Sequence, residues 1–340
     1  MNKRRLSKNQ TRRIKKQQQK AVQKAGENSP NYGEEALGPE QKGRVVAHFG
    51  TQVEVEHTNR EVLRCFMRAN LEPVVTGDHV IWRPHEETGV VVSRETRQSL
   101  LSRPDSYGNL KPVAANVDQI VVVVAPVPEL FSNLIDRYLV IAEINDISPM
   151  LLINKSDLID SENCNKFDEL SRVYRRLGYQ VITTSAKRED GISDLRPLLR
   201  NKTSIFVGQS GVGKSSIIQC LLPEEDIKVG ELSSAKTKGR HTTTHSQLFH
   251  FSDAGECIDS PGIREFGLWH LDKSDVIDGF VELSELATKC RFRDCSHHNE
   301  PGCMIKRALA AGEISTLRFE SYLRIVAGLD DVGIKAHPNR

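Results

Sequence analysis

Apolar and polar positions divide the chain into four textures. From residue 43 to about 103, short runs alternate with a period of two: 44–49, 52–56, a β-rich run at 62–68, 80–83 behind a Thr76-Gly77-Asp78 turn, and 89–93. Such alternation predicts half-buried strands. About five strands at roughly ten-residue spacing predict a small barrel over 43–104, with an OB-fold the leading expectation. Periodicity does not separate it from an SH3-like barrel.

The pattern then changes. Residues 120–125 form a continuous β-branched run, as expected of a strand buried on both faces. Helical stretches alternate with further apolar runs at 150–153, 180–184, 204–207, 247–251 and 256–258. This predicts an α/β domain over 105–268 with helices on both faces of a sheet. Residues 269–340 read as mostly helical, interrupted by a Cys/His cluster. Residues 1–42 have few apolar side chains, three consecutive glutamines (Gln17, Gln18, Gln19) and many turn formers. They cannot bury enough surface to offset ordering entropy, so a disordered arm is expected.

Charge sharpens this division. The net charge of +2 hides ten Lys/Arg and no Asp/Glu within residues 1–24, leaving 37 basic against 45 acidic residues elsewhere. A basic arm on an acidic body suits a polyanion such as RNA, because neutralised phosphates release counterions. A solvated solubility tail is the plainer reading. No apolar run reaches the roughly 18–20 residues of a spanning helix, so no membrane association is expected. The first residues lack the apolar core of a secretion signal. Seven cysteines, four of them scattered singly (Cys65, Cys164, Cys220, Cys257), argue against a disulfide framework and for a reducing, cytoplasmic setting. With no oligomerisation element in the sequence, a monomer is the default.

Candidate chemistry begins at Gly208-Gln209-Ser210-Gly211-Val212-Gly213-Lys214-Ser215, which matches GxxxxGK[ST] between a predicted strand and a helix opened by Ser216. The glycines let backbone amides curl around phosphate oxygens. Lys214 reaches the β- and γ-phosphates and the Ser215 hydroxyl ligates Mg²⁺. The helix N-terminus favours the anion.

Asn154-Lys155-Ser156-Asp157 matches NKxD. The Asp157 carboxylate would accept from guanine N1–H and its 2-amino group, a donor pair that adenine lacks. Asn154 would tie this loop to the phosphate loop, and the Lys155 stem would lie along the base. Ser185-Ala186-Lys187, at the end of the next predicted strand, matches the second guanine-contacting loop. GTP and GDP are therefore the expected ligands.

Asp259-Ser260-Pro261-Gly262 matches DxxG. Asp259 would hold Mg²⁺ through water and the Gly262 amide would sense the γ-phosphate. Between the phosphate loop and this element lies Gly239-Arg240-His241-Thr242-Thr243-Thr244, behind a long polar loop with the look of a nucleotide-ordered switch. One threonine should complete the Mg²⁺ shell; Thr243 is favoured, with Thr242 and Thr244 open. Ile263 stands where Ras-type enzymes carry a water-orienting glutamine. Isoleucine cannot orient a water, so His241 becomes the catalytic candidate; a solvent-facing loop histidine is the alternative.

The order of these motifs is permuted. Ordinary GTPases place NKxD and SAK after DxxG; here both precede the phosphate loop. The segment after DxxG runs directly into the C-terminal region, which nucleotide state could therefore reposition.

Cys290-x₄-Cys295-x-His297-x₅-Cys303 offers three thiolates and an imidazole within fourteen residues. Such a set suits structural, tetrahedral Zn²⁺. His298 could substitute on spacing alone. Lys289, Arg291, Arg293, Lys306 and Arg307 surround the cluster, as an RNA contact or as a solvated surface.

Taken together, these motifs closely resemble one family, the ribosome small-subunit-dependent GTPase A proteins of bacteria. The resemblance spans residue 43 to 340 and rests on the permuted order, GQSGVGKSS, NKSD, DSPG, GRHTTT and the C-x₄-C-x-H-x₅-C cluster. It implies an OB-fold, a circularly permuted P-loop GTPase domain and a helical zinc domain. It also implies late small-subunit maturation with subunit-stimulated GTP hydrolysis, a catalytic role for His241, and zinc on Cys290, Cys295, His297 and Cys303. The arm's role rests on charge alone.

Overall fold

The computed structural model describes residues 37–68, 71–105, 109–222, 246–260 and 271–336, with side chains up to residue 329. Its contacts form two compact units that divide between Arg97 and Gln98.

The first unit contains β1 (Gln41–His48), β2 (Gln52–His57), β3 (Val62–Met67), β4 (His79–His85) and β5 (Thr88–Arg94). β1 pairs with β2, and β2 with β3, antiparallel. β3 then pairs parallel with β5, and β4 pairs antiparallel with both β5 and β1. The circuit β1-β2-β3-β5-β4-β1 with one parallel contact is that of an OB barrel, and closure leaves no long open edge. Val45, Val53, Val55, Cys65, Val80, Trp82 and Val91 fill it. Each fully buried aliphatic side chain contributes about 1.5–3 kcal/mol. Burial pushes the Cys65 thiol up to about 12, so it acts as apolar filling. The Thr76-Gly77-Asp78 turn is anchored by Asp78, which accepts from the Val75 amide at 2.7 Å and from Arg97 Nε and Nη2 at 2.7 and 2.8 Å. Such bidentate, charge-assisted pairs are the stronger hydrogen bonds of a fold.

The second unit opens with a hairpin of β6 (Leu100–Pro104) and β7 (Leu110–Ala115). The sequence pattern did not show it. Its register slips between Leu101 and Ser102, and Ser102 sits opposite Pro112, so alternation is broken. A sheet follows, of β8 (Gln119–Val124), β9 (Ser148–Ile153), β10 (Gln180–Thr183), β11 (Thr203–Val207), β12 (Gln247–His250) and β13 (Glu256–Asp259). Its spatial order is β10-β9-β8-β11-β13-β12, parallel except for β12. Every residue of β8 and β11 is buried, which explains their unbroken apolar runs.

The helices are α1 (Ser132–Ile144), α2 (Cys164–Arg176), the single turn α3 (Arg196–Leu199), α4 (Lys214–Leu221), α5 (Lys273–Asp278), α6 (Val281–Ala287), α7 (Met304–Ala310) and α8 (Thr316–Ala336). Phe167, Leu170 and Tyr174 give α2 one buried stripe at helical spacing. A reciprocal capping box between Asp272 and Asp275 starts α5. Val121 and Val123 of β8 pack with Ile217 and Leu221 of α4. Val122 and Val124 line a small cavity with Ile135 and Tyr138 of α1.

α8 packs on α1, so the C-terminal helices and the sheet are one compact unit. Between them lies a buried charge cluster. Arg318 of α8 donates to Asp136 of α1 at 2.5 Å and to both Glu282 oxygens at 2.7 and 2.9 Å. The Tyr174 hydroxyl donates to Asp136 at 2.7 Å, and the guanidinium lies 4.3 Å from the Phe280 ring centroid. Among the described residues, no helix is long and apolar enough to cross a membrane.

Candidate nucleotide site and metal centre

Parallel sheets present their ligands at the carboxyl ends of the strands. Three loops meet at that edge here. β11 ends at Val207 and α4 begins at Lys214, with Gly213 as its N-cap at φ 96°. A Cβ on Gly213 would lie 2.3 Å from Asn154 Nδ2, and one on Gly208 (φ 136°) would lie 2.2 Å from the Val123 carbonyl oxygen. Both positions need the missing side chain. The Lys214 ammonium donates to the carbonyls of Gly208 (2.7 Å) and Gln209 (2.8 Å), so its charge sits inside the curl of the loop. Ser215 is half-buried and Ser216 exposed on the first turn of α4, and a helix N-terminus favours an anion.

Asn154 follows β9 and is 1% exposed. Its amide nitrogen donates to Val212 O at 2.9 Å. Its carbonyl oxygen accepts from the Ala186 amide (3.3 Å) and the Thr184 hydroxyl (3.5 Å). One side chain thus fastens the phosphate loop, the NKSD loop and the SAK loop to each other. Lys155, in the left-handed region at φ 57°, reaches across to the carbonyls of Gly211 (2.7 Å) and Val127 (2.9 Å). Ser156 is held by its amide on Thr184 O at 3.0 Å.

Asp157 accepts from the Ser185 hydroxyl at 2.5 Å, and Lys187 Nζ lies 3.9 Å from its other oxygen. The Ser185 bond is the main force holding its carboxyl below the usual carboxylate range, with Lys187 and Arg188 adding to it. A depressed pKa keeps this group an ionised, acceptor-only carboxylate, and that state is lost only as pH falls through the lowered value. It still has 21% of its side chain open to solvent, enough to meet a base edge.

Asp259 ends β13 on the same edge of the sheet and pairs with Gln247, and Ser260 behind it is buried. His241, Thr242, Thr243, Thr244 and Gly262 lie outside the described residues.

The family model described as RsgA GTPase matches residues 94–269. This chain belongs to the RsgA GTPase family. It is 51% identical over 345 residues to the small ribosomal subunit biogenesis GTPase RsgA of Saccharophagus degradans, covering 98% of this chain and 100% of that one. It is likewise 51% identical over 336 residues to the protein of that name from Pseudomonas aeruginosa, covering 97% and 99%. Among solved structures it matches YjeQ from Thermotoga maritima, with TM-score 0.70, 33% identity and coverage of 86% and 99%. It also matches YloQ, a circularly permuted GTPase, with TM-score 0.68, 29% identity and coverage of 86% and 96%. RsgA-family proteins are GTP hydrolases, and the permuted motif order is part of their fold. The permutation is tolerated because the packed neighbours stay the same: β8, β11 and β13 remain adjacent whatever order the chain visits them.

The same RsgA-family fold carries a second cluster. Cys290, Cys295, His297 and Cys303 bring one ligand atom each within 4.8 Å of one another. Cys290 and Cys303 sulfurs are 4.0 Å apart, and His297 Nδ1 lies 3.7 and 3.5 Å from them. A tetrahedral ion with sulfur at about 2.3 Å and nitrogen at about 2.0–2.1 Å requires edges of about 3.8 and 3.6 Å, so the donor set fits one. His297 reaches the cluster from a left-handed backbone (φ 61°), while His298 is exposed. Burial pulls the His297 imidazole down toward the neutral form a metal requires. The Met304 amide donates to Cys290 sulfur at 3.4 Å.

Sequence reasoning missed three contributors. Thr184 supports Asn154 and, through its carbonyl, Ser156. Gly191 accepts from the Ser185 amide at 3.0 Å and closes the SAK loop. Tyr138 on α1 has the Gly208 backbone beside its hydroxyl. Each acts through a contact that leaves no motif, in most cases with backbone; a glycine six residues past Ser185 is the one faint signal.

Proposed function

We propose that this protein is a GTPase that binds the small ribosomal subunit, acts in its late maturation in the cytoplasm as a monomer, and is stimulated by that subunit. The observation that carries the nucleotide half of this reading is Asn154, whose three side-chain bonds unite the phosphate, NKSD and SAK loops. End-to-end identity with proteins named as small ribosomal subunit biogenesis GTPases supports the partner.

In this reading, residues 208–216 cradle the phosphates with backbone amides, and Lys214 balances the charge that grows on the transferred group. Asp157 selects guanine, with Lys155, Ser156, Ser185, Ala186 and Lys187 framing the base. Mg²⁺, when bound, neutralises β- and γ-oxygens; Ser215 and Thr243 would hold it, and Asp259 would act through water. Gly262 would sense the γ-phosphate and His241 would orient the attacking water. The chemistry is positioning and electrostatic stabilisation. Without a helper, related enzymes turn over on the order of 10⁻⁴ s⁻¹, and a partner adds about 10³–10⁵-fold. Cys290, Cys295, His297 and Cys303 would hold one structural zinc. The basic arm and the cations around the zinc loop would contact ribosomal RNA.

Sedimentation with isolated ribosomal subunits tests the reading. The protein with a non-hydrolysable GTP analogue is expected to pellet with small subunits and not large ones, and Lys214→Ala to lose the nucleotide dependence. Equal binding by both proteins under all conditions would instead make it an RNA-binding module with nucleotide as a structural accessory.

A further inference from the structure

α1 is buried nearly all round: Ile135, Asp136, Tyr138, Leu139, Val140, Ile141 and Ala142 are all buried. A helix in this position is clamped between two partners and not laid on one. Asp136 and Tyr138 are two residues apart, so they face opposite sides. On one side, Asp136 meets Arg318 of α8 at 2.5 Å. On the other, Tyr138 lines a small cavity together with Gly208, Gln209 and Val212 of the phosphate loop, with the Gly208 backbone beside its hydroxyl.

The Arg318 side chain is itself over-determined. Asp136 and Glu282 take its donors, Phe280 lies 4.3 Å below it, and Tyr174 completes Asp136 at 2.7 Å. Arg318, Asp136, Tyr174 and Phe280 are all 0% exposed. Burying charges of both signs costs desolvation energy that an apolar core would avoid. What it supplies is fixed geometry: the Nε/Nη2 fork grips Glu282 of α6, and the remaining Nη1 meets Asp136, so one side chain holds α1 against both α6 and α8. The contacts continue outward, since Tyr322, one turn beyond Arg318, packs against Phe280 and the His297 ring at 5.6 and 6.2 Å between centroids. Buried contacts therefore run without a break from the Cys/His cluster to the phosphate loop.

We propose that Arg318 is a positioning residue for the phosphate loop: through Asp136 it sets α1, and through Tyr138 it sets the backbone at Gly208, so the C-terminal helices tune how tightly nucleotide is held. This rests on the nucleotide reading above. The coupling is read as a change in nucleotide release. By linkage, it must run both ways.

The experiment measures dissociation of a fluorescent GDP from the full-length protein, Tyr138→Phe, Arg318→Lys and the double variant, well below the thermal midpoint of each. Tyr138→Phe removes one hydroxyl and should speed release about 5-fold, the effect of one lost hydrogen bond. Arg318→Lys keeps the charge but loses the fork and should speed release by a similar factor. The double variant should release no more than about twice as fast as the faster single, because both act on one element. A merely structural Arg318 would lower the melting temperature and leave release rates unchanged, which would overturn the proposal; so would strict multiplication of the two effects. Amide hydrogen exchange on the wild-type protein gives a second reading should Arg318→Lys not fold. GDP should slow exchange in α8 around residues 318–322 at least 3-fold, and an unchanged rate there would overturn the proposal. Wild-type protein that fails to bind GDP at all would sink the nucleotide reading itself, a result distinct from variants that bind and release like wild type.

Discussion

Asp157→Ala is expected to weaken GTP binding by about 10²–10⁴-fold while leaving the fold intact. The base edge that this carboxylate would meet carries two donors. Each hydrogen bond to a charged acceptor is worth about 1.5–3 kcal/mol, so two amount to about 3–6 kcal/mol, at one factor of ten per about 1.4 kcal/mol. The protein itself loses little. Its bond from Ser185 lies near the surface, and Lys187 is 3.9 Å away. The loops stay joined through Asn154, which the substitution does not touch. Affinity for ATP, which never used the carboxylate, should hardly change, so discrimination between the two nucleotides should collapse. Titration calorimetry with both, alongside a melting curve, reads all three quantities. A GTP affinity within about 3-fold of wild type would place guanine selection elsewhere.

Removing the metal should produce the largest structural loss. Purified protein is expected to carry one equivalent of zinc, and Cys303→Ser to carry much less. Between Cys290 and Cys303 most side chains are exposed, so the loop has little apolar contact of its own to hold it. Apparent binding energies of structural zinc reach about 10–16 kcal/mol in small modules, so ordering of this loop should follow the ion. Chelation or Cys303→Ser should open residues 288–304 and raise tryptic cleavage at Arg291 and Arg293 by at least 10-fold. The β8–β11 sheet, whose strands are buried without help from the cluster, should persist in the circular dichroism spectrum. Metal content unaffected by Cys303→Ser would show that this sulfur is not a ligand.

What could be read from the sequence was whatever chemistry fixes in one stretch. A phosphate loop needs glycines and a lysine at set spacing because backbone must approach oxygen closely, so residues 208–215 declare themselves. Residues 120–125 announce a central strand because both of its faces are buried. The cluster from Cys290 to Cys303 is legible because metal geometry restricts spacing. Contacts between distant stretches were not legible. Asp136 and Arg318 stand 182 residues apart, and each alone reads as an ordinary charged helical residue. Tyr138 meets the phosphate loop at the Gly208 backbone, which has no sequence signature. The barrel's strand order depends on which edges pair, and alternation is the same in every order; the parallel β3–β5 contact decides it. The β6–β7 hairpin was hidden by its slipped register.

The most direct test of the account is GTP hydrolysis by the purified protein, alone and with isolated small or large ribosomal subunits at fixed salt. Slow turnover alone, raised about 10³-fold or more by small subunits and not by large ones, is the predicted result. The same slow rate with either particle would leave a GTP-binding fold standing and contradict its activation by the small subunit.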